Sequence, residues 1–362
     1  MSEMNAPNGD RRPIFVVGVG ETGPLAEDAR SIPEMVLAAV GMALADAGME
    51  HGEIDAVVTA SVDLFDGLTA SNIAVTEVVG AVMKAETRIA ADGLAAAIHA
   101  ACELRSGTYQ TVLVAAHGKA SMSDYRSLTR WAMDPIHLQP LDVDFLICAG
   151  MQASAMAGAD AGARRRWAEL AAHRRSNAAP GGFAAALSAE AVLASPVVAA
   201  PLHEGMCAPL GDGAAAVVLS VRLMAPGRRS VRLAGMGYDL EAHAMGDREL
   251  TRWEGLGRAL RRARADAGIG ASTAAIDLAE PCCLYPHEEE LFRDACAIGG
   301  ETVVSPGGGL FGGTAPVVAG LSRLIAAVRG LRGNAGLRRA LAHGAWGPAG
   351  QGQAVVLLDG GH

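Results

Sequence analysis

Two adjacent cysteines, Cys282 and Cys283, follow a stretch that reads as a buried strand, at the edge where α/β proteins place their sites. A thiolate there would be a nucleophile, whereas a buried thiol is only a small hydrophobe. His117 and His343 each sit in an Ala-His-Gly triplet at the end of a strand. One of them could serve as a general base near neutral pH, or both could hold the same structural position in two related parts of the chain. His287 opens a glutamate-rich helix (YPHEEE) and reads as a surface residue. Asp92 precedes an alanine-rich helix, where a carboxylate caps free N–H groups. Facing a reaction centre instead, it would repel a developing anion. Asp212, in Gly-Asp-Gly-Ala, reads as a turn residue. Gly307, Gly308, Gly309, Gly312 and Gly313 present backbone N–H groups with no Cβ in the way, as a contact to an oxyanion or phosphate requires. GVGETG (18–23) has a Gly-x-Gly pair but lacks the third glycine of a dinucleotide fingerprint.

The elements that must position these residues alternate. PIFVVGVG (13–20) is a continuous apolar run of the kind buried on both faces of a sheet. Residues 32–48 follow at helical spacing and close on Gly48. IDAVVTA (54–60), the strand TRIAA (87–91), read as apolar, and TVLVAA (111–116) continue the series with helical segments between them. Alternating β and α predicts a mostly parallel, covered sheet.

The order then recurs. ALADAGMEHGEIDAVV (43–58) is answered by ARADAGIGASTAAIDLAE (263–280), Ala116-His117-Gly118 by Ala342-His343-Gly344, and GDGAAAVVLS (211–220) by GQGQAVVLLD (350–359). Three matches in one order predict two βαβαβ halves, 13–228 and 229–360. The first carries an insert, 119–200, with a helix over 164–179 and loops at 180–182 and 195–196; an insert of that size forms a lid or a cleft wall.

Composition bounds the function. Net charge is −9 and the arginines occur in short bursts within helices (164–166, 261–264), which argues against a nucleic-acid partner. The six cysteines form no CxxC pair, so neither a metal site nor a disulfide framework is expected, and a reduced, cytoplasmic setting fits. No apolar run approaches the roughly 18 residues of a membrane span. Aromatics are 4% of the chain against 45 glycines, a balance suited to close packing more than to aromatic binding platforms.

Two stretches carry a family resemblance. ASPVVAAPLHEGMCAPLGDGAAAVVLS (194–220) and SPGGGLFGGTAPVVAGLSRLIAAVRGLRG (305–333) resemble the Cys-x-Pro-x-x-Asp-Gly-Ala-Ala turn and the glycine loop of the thiolase superfamily, in particular the sterol-carrier-protein thiolases. The resemblance implies a layered α-β-α-β-α sandwich of two pseudo-symmetric halves and a role in acyl-CoA metabolism. It also implies a nucleophilic cysteine at a helix start, a loop histidine that activates it, a second cysteine, and an oxyanion-binding side chain. At the matching positions this chain has Ala90, Ala315, Ala342 and Cys282. Cys102 lies about three turns along its helix, away from the end that would activate it.

Three functions are therefore expected, in this order. The first is a degenerate subunit that binds acyl-CoA beside an active partner. The second is a retro-aldol lyase on a CoA thioester that works without a cysteine. The third is an acyltransferase with a displaced nucleophile. Cys282 and His343 are the candidate catalytic residues, and Gly308, Gly309, Gly312, Gly313 and His117 the candidate substrate contacts. No cofactor is implied beyond coenzyme A as part of the substrate. The resemblance implies a homodimer, or a heterodimer or heterotetramer with another thiolase-like chain or an OB-fold zinc-ribbon subunit, pairing through the strand at 87–91.

Overall fold

The computed structural model describes residues 12–178, 182–223, 229–270 and 276–361. The first half runs β1 (Ile14–Leu25), α1 (Ile32–Ala47), β2 (Ala56–Ala60), α2 (Asp63–Asp66), β3 (Ala85–Ile89), α3 (Gly93–Ser106) and β4 (Thr111–Lys119). The insert follows as α4 (Tyr125–Trp131), α5 (Phe145–Ala157), α6 (Ala163–Ser176), α7 (Ala189–Ala194), β5 (Val197–Ala199) and β6 (Leu202–His203), and β7 (Asp212–Ser220) completes the half. The second half runs β8 (Val231–Leu240), α8 (Glu254–Asp266), β9 (Leu278–Glu280), α9 (Pro286–Cys296), β10 (Val303–Val304), α10 (Ala319–Gly333), β11 (Arg339–Trp346) and β12 (Gly352–Gly360). The expected half boundary at residue 228 lies outside the described residues.

Among the described residues, ten strands form one sheet in the order β10-β9-β11-β12-β8-β1-β7-β4-β2-β3, and β5 and β6 of the insert pair as a separate two-stranded sheet. Taking the strands of each half in chain order, the second half is the mirror of the first, and the two opening strands, β1 and β8, meet antiparallel at the centre through Ile14–Val16 and Val231–Leu233. The internal repeat is thus a spatial one.

Burial follows from this arrangement. α3 and α10 lie in the central layer, where Leu94, Leu104, Leu321 and Leu324 join strand residues of both halves such as Val58, Val114 and Val356. α1 covers one outer face with Met35, Val36 and Val40, and α8 and α9 cover the other with Leu256, Leu260 and Phe292. Each such side chain contributes about 1.5–3 kcal/mol by leaving water. α1 shows why the local sequence folds as it does. Ser31 and Glu34 form a capping box, Pro33 stands in the first turn, and Gly48 ends the helix at φ 68°.

Three expectations are corrected. The sheet is mixed, because only β2, β3 and β4 and, in the other half, β9, β10 and β11 are parallel neighbours. The short link 347–351 can join β11 and β12 only as an antiparallel pair, and β7 returns antiparallel between β1 and β4. The third strand is Ala85–Ile89, an exposed-to-half-buried edge that carries Glu86 and Arg88 and is not the apolar strand expected at 87–91. The helix expected over 164–179 spans Ala163–Ser176, and residues 179–181 lie outside the described residues.

Candidate active site

A cavity of about 250 Å³ opens where β2, β3, β9 and β11 end, and the insert closes it with Tyr125, Ala132 and Phe145. The insert is therefore a cleft wall, as its size suggests. Tyr125 and Phe145 are the first residues of α4 and α5, whose N-caps are Asp124 and Asp144. Arg126 donates to the buried Asp144 carboxylate at 2.8 Å, so one guanidinium clamps the two helix starts and fixes both rings.

Asp92 stands on the cavity wall at the junction of both halves. It caps α3, its Oδ1 accepting the Leu94 N–H at 2.8 Å. Its Oδ2 accepts the N–H of Gly320, in the first turn of α10, also at 2.8 Å. In return, the Gly93 N–H donates to the Val317 carbonyl at 2.7 Å, and Val317 is held at φ 69°, a strained setting for a β-branched residue. Gly344 of β11 leaves the space the carboxyl fills, since a Cβ there would lie 2.5 Å from Asp92 Oδ1. Burial raises the Asp92 pKa to about 7 against the lowering effect of these N–H donors.

Glu288 is the second carboxyl on the wall. It occupies the first turn of α9, where Oε2 accepts the N–H groups of Leu284 at 2.7 Å and Tyr285 at 3.2 Å. Burial pushes it up to about 7 as well. Tyr125 adds a phenol whose pKa burial also raises, so it stays a neutral donor. Cys282 lines the same cavity, but burial first, and then the charge of Asp92, hold its thiol well above the ordinary range, so it is protonated at neutral pH. No Arg, Lys or His is among the described residues lining the cavity.

The residues singled out in the sequence fall in different places. Ala90 and Ala315 line the cavity, whereas Ala342 is in the central core and Ala345 and Trp346 take its place on the wall. His343 is fully buried behind the wall. Its Nδ1 accepts the Cys282 N–H at 3.2 Å, its Nε2 donates to Gln353 Oε1 at 2.6 Å, and burial lowers its pKa to about 4. The expected base thereby becomes a neutral tie between β9, β11 and β12. His117 is buried against Asp66 at 2.9 Å and does not line this cavity. Gly309, Gly312 and Gly313 line a neighbouring pocket of about 330 Å³ that meets the cavity only at Thr314 and Ala315, while Gly308 backs onto the end of α6. Cys283 turns away into the core under α8 and α9.

His287 is a correction. It is 0% exposed, stacked against Tyr285 and tilted against Trp167, because the glutamates around it are also inside: Glu288 caps the helix and Glu289 pairs with the buried Arg174 at 2.6 Å. Asp212 is the scaffold residue it resembled, accepting from the Asp28 and Ser121 N–H groups and from Lys119.

Sequence reasoning missed Glu288 and Tyr125. Glu288 had one signal, a glutamate three residues after the end of a turn and just past Pro286, the pattern of a first helical turn. Tyr125 had none, because its place depends on how the insert packs. Among the described residues no cluster of three His, Cys, Asp or Glu is placed to hold a metal ion, and no helix is long and apolar enough to cross a membrane.

No protein-family model matches the chain, and no curated protein sequence does. Solved structures do. The monomeric SCP2-thiolase-like protein type 1 from Mycobacterium smegmatis superposes with a TM-score of 0.76 at 19% identity, over 97% of this chain and 78% of the other. A structure described as the Ltp2-ChsH2(DUF35) aldolase superposes with a TM-score of 0.76 at 21% identity, over 96% and 98%. Human mitochondrial 3-ketoacyl-CoA thiolase does so at 0.73 and 16% identity, over 97% and 99%. The architecture is the thiolase fold.

Proposed function

We propose, for a chain with the thiolase fold and no activated cysteine in its cavity, that it breaks or forms a carbon–carbon bond beside an acyl thioester by acid–base chemistry, with no acyl-enzyme. The observation that carries this reading is the pair of carboxyls, Asp92 and Glu288, on one apolar cavity, both pushed up to about 7. Near neutral pH each carboxyl is present in both its ionised and its neutral form, so the cavity offers a base and an acid together.

The retro-aldol direction uses both. The hydroxyl proton of a 3-hydroxyacyl thioester passes to ionised Asp92, and the bond between Cα and Cβ breaks. Its electron pair moves onto Cα as an enolate while Cβ becomes a ketone or aldehyde carbonyl. Tyr125 donates to the enolate oxygen, and the neutral Glu288 carboxyl protonates Cα to release the shortened thioester. The comparison with a structure named as an aldolase supports this direction.

A non-catalytic subunit is the second reading, favoured by Ala90 and Ala315 in the wall. Either reading accommodates a partner chain: β3 is an open sheet edge, with Ile73, Val82 and Met83 exposed nearby. The test is turnover of a 3-hydroxyacyl-CoA by the purified chain. Asp92→Asn and Glu288→Gln each lower kcat by about 10²–10⁴-fold, the range of one lost acid or base, and Cys282→Ala leaves it unchanged. Turnover that survives Asp92→Asn but disappears in Cys282→Ala overturns the acid–base reading, and no turnover by any preparation favours the non-catalytic subunit.

A further inference from the structure

Aromatic residues are 4% of this chain, yet four of them, Phe65, Tyr125, Phe145 and Trp346, face the one cavity that holds Asp92 and Glu288. They come from separate segments: α2 after the second strand, the starts of α4 and α5, and the end of β11. Phe65 and Tyr125 are a tilted pair with centroids 5.0 Å apart, and Trp346 is backed by Tyr238 at 5.3 Å, so the rings are held by one another and by the Arg126 clamp. Trp346 packs against the central core and Phe145 against a smaller cluster with Met133 and Met245, yet both rings also face the cavity, where they meet Phe65 and Tyr125 in a molecule whose core is otherwise built on alanine, valine and leucine.

From this geometry we infer that the cavity takes a ring-bearing, uncharged acyl group, so that the substrate is a 3-hydroxyacyl thioester with an aryl or similar flat ring on Cβ. The inference rests on the acid–base reading for its chemistry and on the wall for its specificity. An apolar cavity of roughly 150 Å³ accepts benzene, so the 250 Å³ here holds one ring with a few further heavy atoms. Ring against ring is favoured over ring against alkyl by edge-to-face and offset contacts. With no Arg, Lys or His among the described residues of the wall and two carboxyls present, an acyl group ending in a carboxylate is repelled. Cleavage breaks the bond between Cα and Cβ, sends the hydroxyl proton to Asp92 and returns a proton to Cα, so an aryl ketone or aldehyde and a shortened thioester leave together.

The experiment separates specificity from chemistry. Calorimetric titration of the full chain compares acetophenone with 2-octanone, neutral ketones of equal carbon number. Turnover compares the two thioesters that would release them, 3-hydroxy-3-phenylbutanoyl-CoA and 3-hydroxy-3-methylnonanoyl-CoA. Acetophenone is expected to bind about 10-fold more tightly, with the same preference in kcat/KM. Phe65→Leu and Phe145→Leu, verified as folded by thermal melts, are expected to cut that preference to about 2-fold by removing the ring faces while keeping apolar volume. Equal binding of the two ketones, or leucine variants that weaken both alike, overturns the ring inference even if both thioesters are cleaved. A ring preference in binding with neither thioester cleaved upholds the inference about the wall and sinks the acid–base reading.

Discussion

The two halves share a strand order and a pair of central helices, but they meet on unequal terms. At the start of α10 the Gly320 N–H finds a carboxylate, Asp92, from the first half; at the start of α3 the Gly93 N–H finds a backbone carbonyl, Val317, from the second. The equivalent glycines after the two strand-end histidines repeat the contrast. Gly344 makes room for the Asp92 carboxyl, while Gly118 makes room for the Pro316 carbonyl, which would lie 2.1 Å from a Cβ. Symmetry serves packing, and the departure from symmetry puts a titratable group at the seam.

That contrast can be broken most forcefully through pH. Asp92 holds its proton up to about pH 7 when folded, against about 4 when unfolded, so its contribution to stability is full below pH 4 and is lost as pH rises through 7. The largest effect is about 4 kcal/mol, three pH units at about 1.4 kcal/mol each. Chemical denaturation at pH 4.5 and 7.5 is expected to show Asp92→Asn losing less stability than the parent over that interval; an equal loss refutes the assignment. His343 acts with the opposite sign, since a neutral buried imidazole contributes fully above pH 6.5 and is lost as pH falls through about 4.

Next in size is the glycine pair. Gly344→Ala and Gly118→Ala are each expected to destabilise by about 1–3 kcal/mol through overpacking, but only Gly344→Ala shifts the pH–rate profile, because only it displaces a titrating carboxyl. A shift in both variants would mean that the seam is less one-sided than described. Arg126→Ala, which releases α4 from α5, is expected to raise KM about 3- to 10-fold with kcat changed less, since the buried Asp144 loses its charged partner while Asp92 and Glu288 stay in place. The smallest effect is at Cys282. Its thiol is expected to resist iodoacetamide in the folded protein while the exposed Cys102 is modified, as mass spectrometry of the two peptides would show.

Much of the scaffold was legible because it is written twice. Helix 32–48 and its Gly48 cap are local and came through, as did the repeat that becomes the mirrored strand order. Strand direction was less legible, since an apolar run such as 211–220 reads the same whichever way its neighbours point. At the site, Asp92 was visible as a cap from its own neighbourhood, but its second partner lies 228 residues away. His287 misled because a run of glutamates signals solvent unless something distant pairs with it, and Arg174, 115 residues from Glu289, does so. The aromatic wall was hidden for the same reason: four scattered rings look sparse along the chain and dense only in space.

The shared carboxyl has one more consequence. Whenever Asp92 takes up a proton, it becomes a weaker acceptor for two amides that begin helices in opposite halves. Proton transfer at this one carboxyl therefore weakens or strengthens together a helix cap in the first half and a tie to the second. The amide hydrogens of Leu94 and Gly320 should exchange with solvent in step with one another, a paired readout of the charge on a group neither of them belongs to.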